Sequence, residues 1–348
     1  MYHICFSLDE NYSEQLSVAI TSLLLNSDED ESFSFYVLNE KMSEINRKKI
    51  LALKKTKDFE INFIDVDANA FIDFPIPRNR WTECKESTIS RPAYFKYLIA
   101  NQLSHLDKVL YLDCDILVIN TLKELYNIDI GENYAAMVQD VENEKLSKTF
   151  QLSNYFNTGV MLINLKKWRE EKINDRLMQA TYDNIDSILF ADQDIFNIVF
   201  ENKIMKLPKR WNYQFFLCNK EDNISLYQNV HNYNIIHFAG KNKPWNQPYN
   251  SVIFDEYYSI LEKTPFKNNL LKYKQMKYEH MYKYMYDIIN ARIKEESEHI
   301  YNFIYTQMED STKRECQYIY KHIYEQLHAL RTRSIDDIIK VFEKPPEK

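Results

Sequence analysis

Short apolar strand patterns alternate with helical patterns over the first two-thirds of the 348-residue chain. The apolar spacing predicts strands at 3–8, 33–38, 59–66, 108–113, 134–140, 159–165 and 234–240, and helices at 12–26, 43–55, 87–103, 166–182 and 192–201. Strands that alternate with helices of this length favour an α/β fold with a mostly parallel central sheet flanked by helices. Because such sheets bind ligands at the carboxyl ends of their strands, the residues that follow each strand are the first candidates for chemistry.

The pattern changes after Pro265. Residues 266–348 contain no clear strand pattern, hold 15 Lys and Arg against 13 Asp and Glu, and place tyrosines at helical spacing. We therefore expect one α/β domain over residues 1–264 and an appended helical, tyrosine-rich region over 265–348. The basic and aromatic segment 267–285 is typical of a helix that lies on an anionic membrane surface. The alternative is that its tyrosines and methionines pack on the first domain or form a dimer interface.

Total charge and cysteine content limit the class of protein. The formal net charge is -7, so the chain has no overall basic character, and we expect no nucleic-acid partner. The first residues lack the basic stretch of a signal peptide and no run of about 18 apolar residues occurs, which favours a cytoplasmic protein that does not span a membrane. Five widely spaced cysteines without a CxxC pair favour reduced thiols over disulfides or a zinc site.

Two aspartates one residue apart follow the strand that ends near residue 113, in the sequence YLDCDILV. Residues i and i+2 of a strand project to the same face, so the carboxylates of Asp113 and Asp115 can converge. At a separation of about 5 Å and an effective dielectric constant of about 20, they repel by about 3 kcal/mol. A shared proton, a basic side chain, a divalent cation or exposure to water would each offset this repulsion, and the spacing alone does not choose among them.

A second set of polar residues ends the strand predicted at 234–240, in HFAGKNKPW. The imidazole of His237 beside two carboxylates gives a mixed oxygen and nitrogen donor set, which suits Mn²⁺ or Mg²⁺ better than zinc or copper. Gly240 lets a backbone N–H approach a phosphate closely, and Lys243 supplies a positive charge to it. The alternative is a strand end with a hydrogen-bonded histidine and a turn.

Five motifs, in this order, resemble those of the family 8 retaining glycosyltransferases over about residues 1–262: FSLDENY, KVLYLDCDILV, YFNTGVMLINLKKWR, ADQDIFN and HFAGKNKPW. The resemblance implies a GT-A type nucleotide-sugar-binding fold and a metal-dependent enzyme, with Mn²⁺ or alternatively Mg²⁺ as its cofactor. It also implies retaining transfer of a hexose from UDP-galactose or UDP-glucose to a glycan acceptor. The family includes bacterial transferases of lipooligosaccharide assembly and, more distantly, glycogenin. We therefore expect a role in the synthesis of lipopolysaccharide, lipooligosaccharide or another cell-surface glycan, in the cytoplasm or at the inner face of the cell membrane.

Carried over position by position, the resemblance implies three groups of site residues. The metal ligands would be Asp113, Asp115 and His237. The residues that bind the nucleotide sugar would be Ser7, Asp9, Asn11, Lys96, Asp113, Gly240 and Lys243. The residues nearest the reaction, which would hold the hydroxyls of the donor sugar, are Asn157, Asp192 and Gln193. Asp9, Asn11 and Asp192 are also suited to capping helices, and both roles can coexist.

Two places depart from the family pattern. Lys96 stands where many members have an arginine, and it keeps the charge but loses the bidentate geometry, for which Arg91 one turn earlier is a substitute. Residues 141–154, which should face the acceptor, match nothing that identifies it. The resemblance therefore describes the donor chemistry and leaves the acceptor open.

Retention of configuration ordinarily requires a carboxylate nucleophile on the opposite face of the sugar ring. The expected position holds Gln193, whose amide is a poor nucleophile. A same-face displacement is therefore favoured, with the metal stabilising the leaving diphosphate as a Lewis acid and Asp192 as the fallback nucleophile.

Two other functions remain as alternatives. A haloacid-dehalogenase-type phosphatase also places DxD after an apolar strand, but usually in its first strand, and Leu117 occupies the position where Thr or Val is usual. A catalytically inactive sugar-nucleotide-binding scaffold, assembled through the tyrosine-rich region, is the non-enzymatic alternative.

Overall fold

The computed structural model describes residues 1–76, 90–215, 229–240, 243–246 and 251–307, together with Lys321 and Glu325. A first compact unit comprises Met1–Lys277, and a second unit begins at Tyr278. The domain limits expected at 264 and 265 stay a prediction, and most of the expected C-terminal region beyond residue 307 lies outside the described residues.

Ten strands are found in the part of the chain that the structure describes. They are β1 (Tyr2–Asp9), β2 (Phe33–Glu40), β3 (Glu60–Asp65), β4 (Lys108–Leu112), β5 (Ile116–Val118), β6 (Ala135–Gln139), β7 (Phe156–Asn164), β8 (Ile204–Lys206), β9 (Tyr213–Gln214) and β10 (Ile235–His237). Seven of them form one sheet in the order β3-β2-β1-β4-β7-β6-β8, and the other three form a small sheet in the order β5-β10-β9.

Most of the strand pairs in the large sheet are parallel. β1 runs parallel to β2 and to β4, β2 to β3, and β6 to β8, whereas β7 is antiparallel to both of its neighbours. In the small sheet, β10 is antiparallel to β5 and parallel to β9. The predicted α/β class with a mostly parallel sheet flanked by helices is therefore confirmed.

The helices follow the predicted order with local differences. The α-helices are α1 (Ser13–Leu25), α2 (Glu44–Leu51), α3 (Ile99–Gln102), α4 (Lys123–Tyr126), α5 (Asn143–Phe150), α6 (Leu165–Glu170), α7 (Ile173–Asp183), α8 (Asp192–Val199), the helix Val252–Leu261 and the C-terminal helix Asn269–Gln307. The α-helix predicted at 87–103 is mainly a 3₁₀-helix, Arg91–Leu98, with Pro92 in its first turn. The helix predicted at 166–182 is divided into α6 and α7 by Lys172, whose φ is +51°.

Side chains alternate between two apolar cores on opposite faces of the large sheet. Along β1, Ile4, Phe6 and Leu8 enter one core, and Cys5 enters the other. Leu110 and Tyr111 of β4 are divided in the same way, as the two-residue period of a strand requires. The sheet is thus buried on both faces, which leaves its carboxyl edge as the natural place for polar chemistry.

Helix α1 carries a buried carboxylate that holds the beginning of the C-terminal helix. Glu14 accepts hydrogen bonds from the Tyr257 hydroxyl at 3.1 Å, the Tyr273 hydroxyl at 2.9 Å and the Asn269 amide at 2.5 Å. A buried carboxylate is costly without such donors, so these contacts define how this end of the helix packs within the first unit.

Two other features of the described residues bear on the sequence predictions. Cys5 and Cys114 are buried free thiols, whereas Cys84, Cys218 and Cys316 lie outside the described residues. Among the helices that the structure describes, none combines the length and the apolarity that crossing a bilayer requires.

Replacing Glu14 with Leu should lower the free energy of unfolding by about 2 kcal/mol, because the buried hydroxyls of Tyr257 and Tyr273 lose their acceptor at about 1 kcal/mol each, whereas the exposed Asn269 amide can turn to water. Glu14→Gln should cost less, since its amide oxygen still accepts. Urea unfolding followed by circular dichroism measures both, with Glu44→Gln as the control because Glu44 is exposed on α2. Equal stability of Glu14→Leu and the wild type would contradict the assigned contacts.

Candidate functional site

The aspartate pair lies where the chain leaves the large sheet and enters the small one. Asp113 follows β4, and its backbone N–H donates to the Gly159 carbonyl of β7 at 2.8 Å. Asp115 precedes β5, and its carbonyl accepts the Phe238 N–H just after β10 at 2.9 Å. The two carboxylates are therefore fixed by neighbouring strands of two different sheets.

Each aspartate directs one oxygen to a positive group and the other to His237. Asp113 Oδ1 accepts from the Tyr111 hydroxyl at 2.7 Å and lies 3.3 Å from Lys96 Nζ. Asp115 Oδ2 forms an ion pair with Lys243. The other two oxygens, Asp113 Oδ2 and Asp115 Oδ1, lie 3.8 and 3.2 Å from His237 Nε2.

These three side chains form a donor set that fits a divalent cation. One ligand atom from each of Asp113, Asp115 and His237 lies within 4.8 Å of the others, and no further group of this kind occurs among the described residues. Two carboxylate oxygens and one imidazole nitrogen suit Mn²⁺ or Mg²⁺. The structure thus brings together the three residues that the sequence predicted as metal ligands.

Buried lysines offset much of the negative charge. Burial by itself raises the pKa of Asp115, but the Lys243 ammonium and His237 hold it well below its usual value. Burial lowers the pKa of Lys96, whereas Asp113 and Asp192 raise it above its usual value. The ammonium groups of Lys96 and Lys243 face three carboxylates, those of Asp113, Asp115 and Asp192. One negative charge is therefore left in excess, which favours a cation at this place.

Gly159 provides the space in which the metal ligands meet. A Cβ atom at this position would lie 2.2 Å from His237 Cε1 and 2.9 Å from Asp113 Oδ2. Because Cβ atoms in proteins essentially never come within 3.0 Å of such atoms, a larger residue here would displace His237 or Asp113. One of the three glycines of the chain occupies this position.

The residues predicted to hold the donor sugar lie beside the metal ligands. Asp192 Oδ2 accepts from Lys96 Nζ at 2.8 Å and from the Thr158 hydroxyl at 3.2 Å, so Lys96 bridges Asp113 and Asp192. Gln193 Oε1 accepts from Asn157 Nδ2 at 3.1 Å and from the Thr158 N–H at 3.3 Å.

A strained backbone precedes these side chains. Ala191, immediately before α8, has φ +51° and ψ -122°, which costs a non-glycine residue about 1–3 kcal/mol. The conformation places Asp192 and Gln193 in the first turn of α8, next to β7. Strain of this kind persists where the surrounding contacts hold it, and it often accompanies a functional site.

Sequence analysis missed several residues of this network. Asp140 follows β6, and its Oδ2 accepts from Asn157 Nδ2 and Gln193 Nε2, each at 3.3 Å. Burial raises the pKa of Asp140 above its usual value. Its position as the last residue of the strand predicted at 134–140 was a signal that could have identified it. Asn212, which contacts both His237 and Asn157, offers no such signal in the sequence WNYQF.

A second buried carboxylate, Asp194, also escaped prediction. It accepts the Tyr155 hydroxyl and the backbone N–H groups of Leu189 and Phe190, the last two at 2.5 and 2.7 Å. Burial raises its pKa to about 6. These bonds fix the turn that leads into α8, and Tyr155 links that turn to Gln193 Nε2 at 3.4 Å.

Two of the predicted nucleotide-binding residues, Ser7 and Lys243, connect to the aspartate pair. The Ser7 hydroxyl is 2.7 Å from the Tyr111 hydroxyl, which connects it to Asp113, and Lys243 is paired with Asp115. Asp9 Oδ1 accepts the Asn11 N–H at 2.9 Å, so the expected capping contact is present on the 3₁₀-turn Glu10–Tyr12. Gly240 is half-buried at the end of the described segment 229–240.

Lys96, and not Arg91, supplies the positive charge inside the site. The Arg91 guanidinium donates to the Ile72 carbonyl at 3.5 Å, whereas Lys96 is 3% exposed and reaches Asp113, Asp192 and the Thr158 carbonyl. Among the described residues it is Lys96 that contacts Asp113 and Asp192, and a role for Arg91 stays a prediction. A lysine can serve three acceptors that do not share a plane, which a planar guanidinium does less well.

A mostly parallel sheet with an Asp-Asp-His set at its carboxyl edge is the arrangement expected of a GT-A type glycosyltransferase. The model of the family described as Glycosyl transferase family 8 matches residues 3–249, and the chain belongs to this family. The predicted family and fold are thereby confirmed.

Several known proteins are similar to this chain. A lipopolysaccharide 1,3-galactosyltransferase of Salmonella typhimurium is 30% identical over 257 residues, covering 70% of this chain and 73% of that protein. General stress protein A of Bacillus subtilis is 26% identical over 276 residues, covering 75% of this chain and 93% of that protein. The crystal structure of the galactosyltransferase LgtC, in complex with donor and acceptor sugar analogs, has a TM-score of 0.64 and 28% identity, covering 76% of this chain and 96% of that chain.

Replacing Gly159 with Ala should lower the affinity for Mn²⁺ at least tenfold, because the added methyl group displaces His237 or Asp113. The matched control is Gly131→Ala, since Gly131 has φ +53° and nothing within 4 Å of an added Cβ. That control should lose about 1 kcal/mol of stability and keep its Mn²⁺ affinity. Mn²⁺ titration followed by electron paramagnetic resonance measures both, and equal affinity in the two variants would contradict this account of Gly159.

Proposed function

We propose that this protein transfers a hexose, galactose or glucose, from a UDP-sugar to a glycan acceptor with retention of configuration. The observation that carries the proposal is the convergence of Asp113 Oδ2, Asp115 Oδ1 and His237 Nε2 beside the Asn157–Gln193 network, with Lys96 bridging the two. Names of relatives support it, because they include lipopolysaccharide 1,2-glucosyltransferases and a 1,3-galactosyltransferase. The acceptor would then be lipopolysaccharide, lipooligosaccharide or another cell-surface glycan.

The donor set supports Mn²⁺ as the cofactor, with Mg²⁺ as the alternative. Asp113, Asp115 and His237 would hold the ion, which when bound supplies Lewis-acid stabilisation of the departing diphosphate. Lys243 is buried beside Asp115, and its ammonium can turn to a diphosphate oxygen while it remains in the same field. Ser7, Asp9, Asn11 and Gly240 would complete the nucleotide and phosphate contacts.

Hydrogen bonding around Gln193 and Asp192 favours a same-face displacement. Gln193 Oε1 is occupied by two donors, and its amide nitrogen points to Asp140. Asp192 is buried and paired with Lys96, so its carboxylate is a poor nucleophile in this arrangement. We infer that Asn157, Asp192 and Gln193 orient the donor sugar, and that the leaving phosphate oxygen takes the proton of the acceptor hydroxyl.

The two alternative functions find less support. Membership of the glycosyltransferase family argues against the phosphatase function. The nucleophile of a phosphatase would be Asp113, and this residue already accepts from Tyr111 and pairs with Lys96. An inactive scaffold would gain nothing from a strained Ala191 that places Asp192 and Gln193 beside the metal ligands.

Release of UDP from a panel of UDP-sugars, with and without Mn²⁺, tests the reaction. One hexose donor should be hydrolysed slowly in the presence of metal, and Asp113→Asn with Asp115→Asn should lower the rate at least 100-fold, because the cation loses two charged ligands. Asp107→Asn is the control, since Asp107 is an exposed aspartate outside the site. If no UDP-sugar binds or reacts with any divalent metal, the proposed function is wrong.

We also propose that the C-terminal helix contacts an anionic membrane surface on the cytoplasmic side. At the beginning of this helix and just before it, Lys267, Lys272 and Lys274 are exposed near Leu271, which is 76% exposed. Apolar and basic side chains together favour such a surface, and the density of lysines disfavours close pairing with a second copy of the same helix.

Sedimentation with vesicles that contain phosphatidylserine tests this contact. The wild type should bind more tightly than Lys267→Glu/Lys272→Glu/Lys274→Glu by at least tenfold, since about 1 kcal/mol is lost per basic residue near the surface. Neutral phosphatidylcholine vesicles are the control. Failure to bind either vesicle, together with a dimer in analytical ultracentrifugation, would favour the dimer interface instead.

A further inference from the structure

Asn212 lies between the metal ligands and the sugar-orienting network. It follows the 3₁₀-helix Lys209–Trp211, and no part of it is exposed to solvent. Its Oδ1 is 3.0 Å from His237 Nδ1, and its Nδ2 is 2.8 Å from Asn157 Oδ1. One buried amide thus contacts a candidate metal ligand at one end and a candidate sugar ligand at the other.

The hydrogen bonds from Gly159 through Asn157 and Asn212 to His237 form a series, and one backbone group fixes the direction of each of them. The Gly159 N–H can only donate, and it points to Asn157 Oδ1 at 3.0 Å. Asn157 therefore presents its oxygen on this side, and Asn212 must turn its NH₂ group toward that oxygen. The oxygen of Asn212 then faces His237 Nδ1, which must carry the imidazole proton in order to donate to it.

This assignment determines what His237 presents to the two aspartates. Because Nδ1 carries a proton, Nε2 is the nitrogen that faces Asp113 Oδ2 and Asp115 Oδ1 and is left to bind a cation between them. A metal-binding histidine needs its ligand nitrogen free of a proton and its ring orientation fixed by the other nitrogen. Asn212 fixes the ring orientation through Nδ1 and so leaves Nε2 as the nitrogen available to a cation.

The Asn212 amide also fixes the orientation of the side chains that are proposed to bind the donor sugar. Because Asn157 Oδ1 is held by Gly159 and Asn212, its Nδ2 is directed to Asp140 and to Gln193 Oε1. The Gln193 amide then has one orientation, since the Thr158 N–H donates to the same oxygen. A rotation of the Asn212 amide would therefore disturb the imidazole and the sugar ligands together.

We propose that Asn212 is a positioning residue that holds His237 in the Nδ1–H tautomer and couples cation binding to binding of the donor sugar. The tautomer part depends only on the geometry of this chain. The coupling part rests on the proposed function, because it assumes that Asn157 and Gln193 contact the transferred sugar.

The tautomer can be measured in the metal-free protein. Long-range ¹H–¹⁵N correlation spectra separate a protonated from an unprotonated Nδ1, and the His237 signals are assigned by their loss in His237→Gln. The wild type should show the Nδ1–H form, and Asn212→Ala should show a mixture. An unprotonated Nδ1 in the wild type would overturn the proposal.

Mn²⁺ binding and sugar binding then separate the two roles. Asn212→Ala should weaken Mn²⁺ binding ten- to 100-fold. Asn212→Asp still accepts from His237 Nδ1–H, so it should bind Mn²⁺ at least as tightly as the wild type. Its carboxylate opposes Asn157 Oδ1, however, so the preference of the Mn²⁺-loaded protein for a UDP-hexose over UDP should fall at least fivefold.

A control variant separates an effect on the metal ligands from a general loss of stability. Asn39→Ala removes an equally buried asparagine that bonds only to the backbone of β2, β3 and Met42 and to Arg47, so it reports a general loss of stability. Mn²⁺ affinity of Asn212→Ala within twofold of the Asn39→Ala value would overturn the proposal. If no UDP-sugar binds the wild type, the proposed function fails, and the tautomer and Mn²⁺ results still decide the role of Asn212 at the metal ligands.

Discussion

Repulsion between the carboxylates of Asp113 and Asp115 is the constraint on which the rest of the site depends. Both aspartates are only partly exposed, and charges removed from water are stable only when they are paired and hydrogen-bonded. The fold meets this need with two lysines on opposite sides, Lys96 for Asp113 and Lys243 for Asp115. Each lysine occupies one carboxylate oxygen, so the second oxygen of each aspartate is free to face His237 and a cation.

The topology of the sheets explains why these groups meet. β4 ends in the large sheet at Asp113, and β5 begins in the small sheet after Asp115, so the pair spans the change from one sheet to the other. β10 pairs with β5 and brings His237 opposite Ile116. β7 pairs with β4 and brings Gly159, which has no side chain to obstruct the approach. Backbone pairing therefore places the ligand residues next to one another, independently of the contacts among their side chains.

The sequence predicted those parts of the molecule that depend on local pattern or on short motifs. The spacing of apolar residues predicted six of the seven strands of the large sheet, together with β10, but not the short strands β5, β8 and β9 or the helices α4, α5 and Val252–Leu261. The motifs identified Asp113, Asp115 and His237 as a group. The division between α6 and α7 was missed because Lys172 adopts a positive φ, which a lysine in the sequence does not predict. Asn212 was missed because its role arises from contacts with residues 55 and 25 positions away along the chain, which no local pattern encodes.

The placement of Lys96 shows how the metal ligands and the sugar ligands share one electrostatic balance. Its ammonium lies 3.3 Å from Asp113 and 2.8 Å from Asp192, so the charge that stabilises a metal ligand also stabilises a residue of the sugar-orienting set. Because the site retains one net negative charge without a cation, a divalent ion would make it net positive, and the diphosphate of a donor would then be attracted. Under the proposed function, a bound cation would therefore improve the electrostatic environment for the diphosphate of the donor.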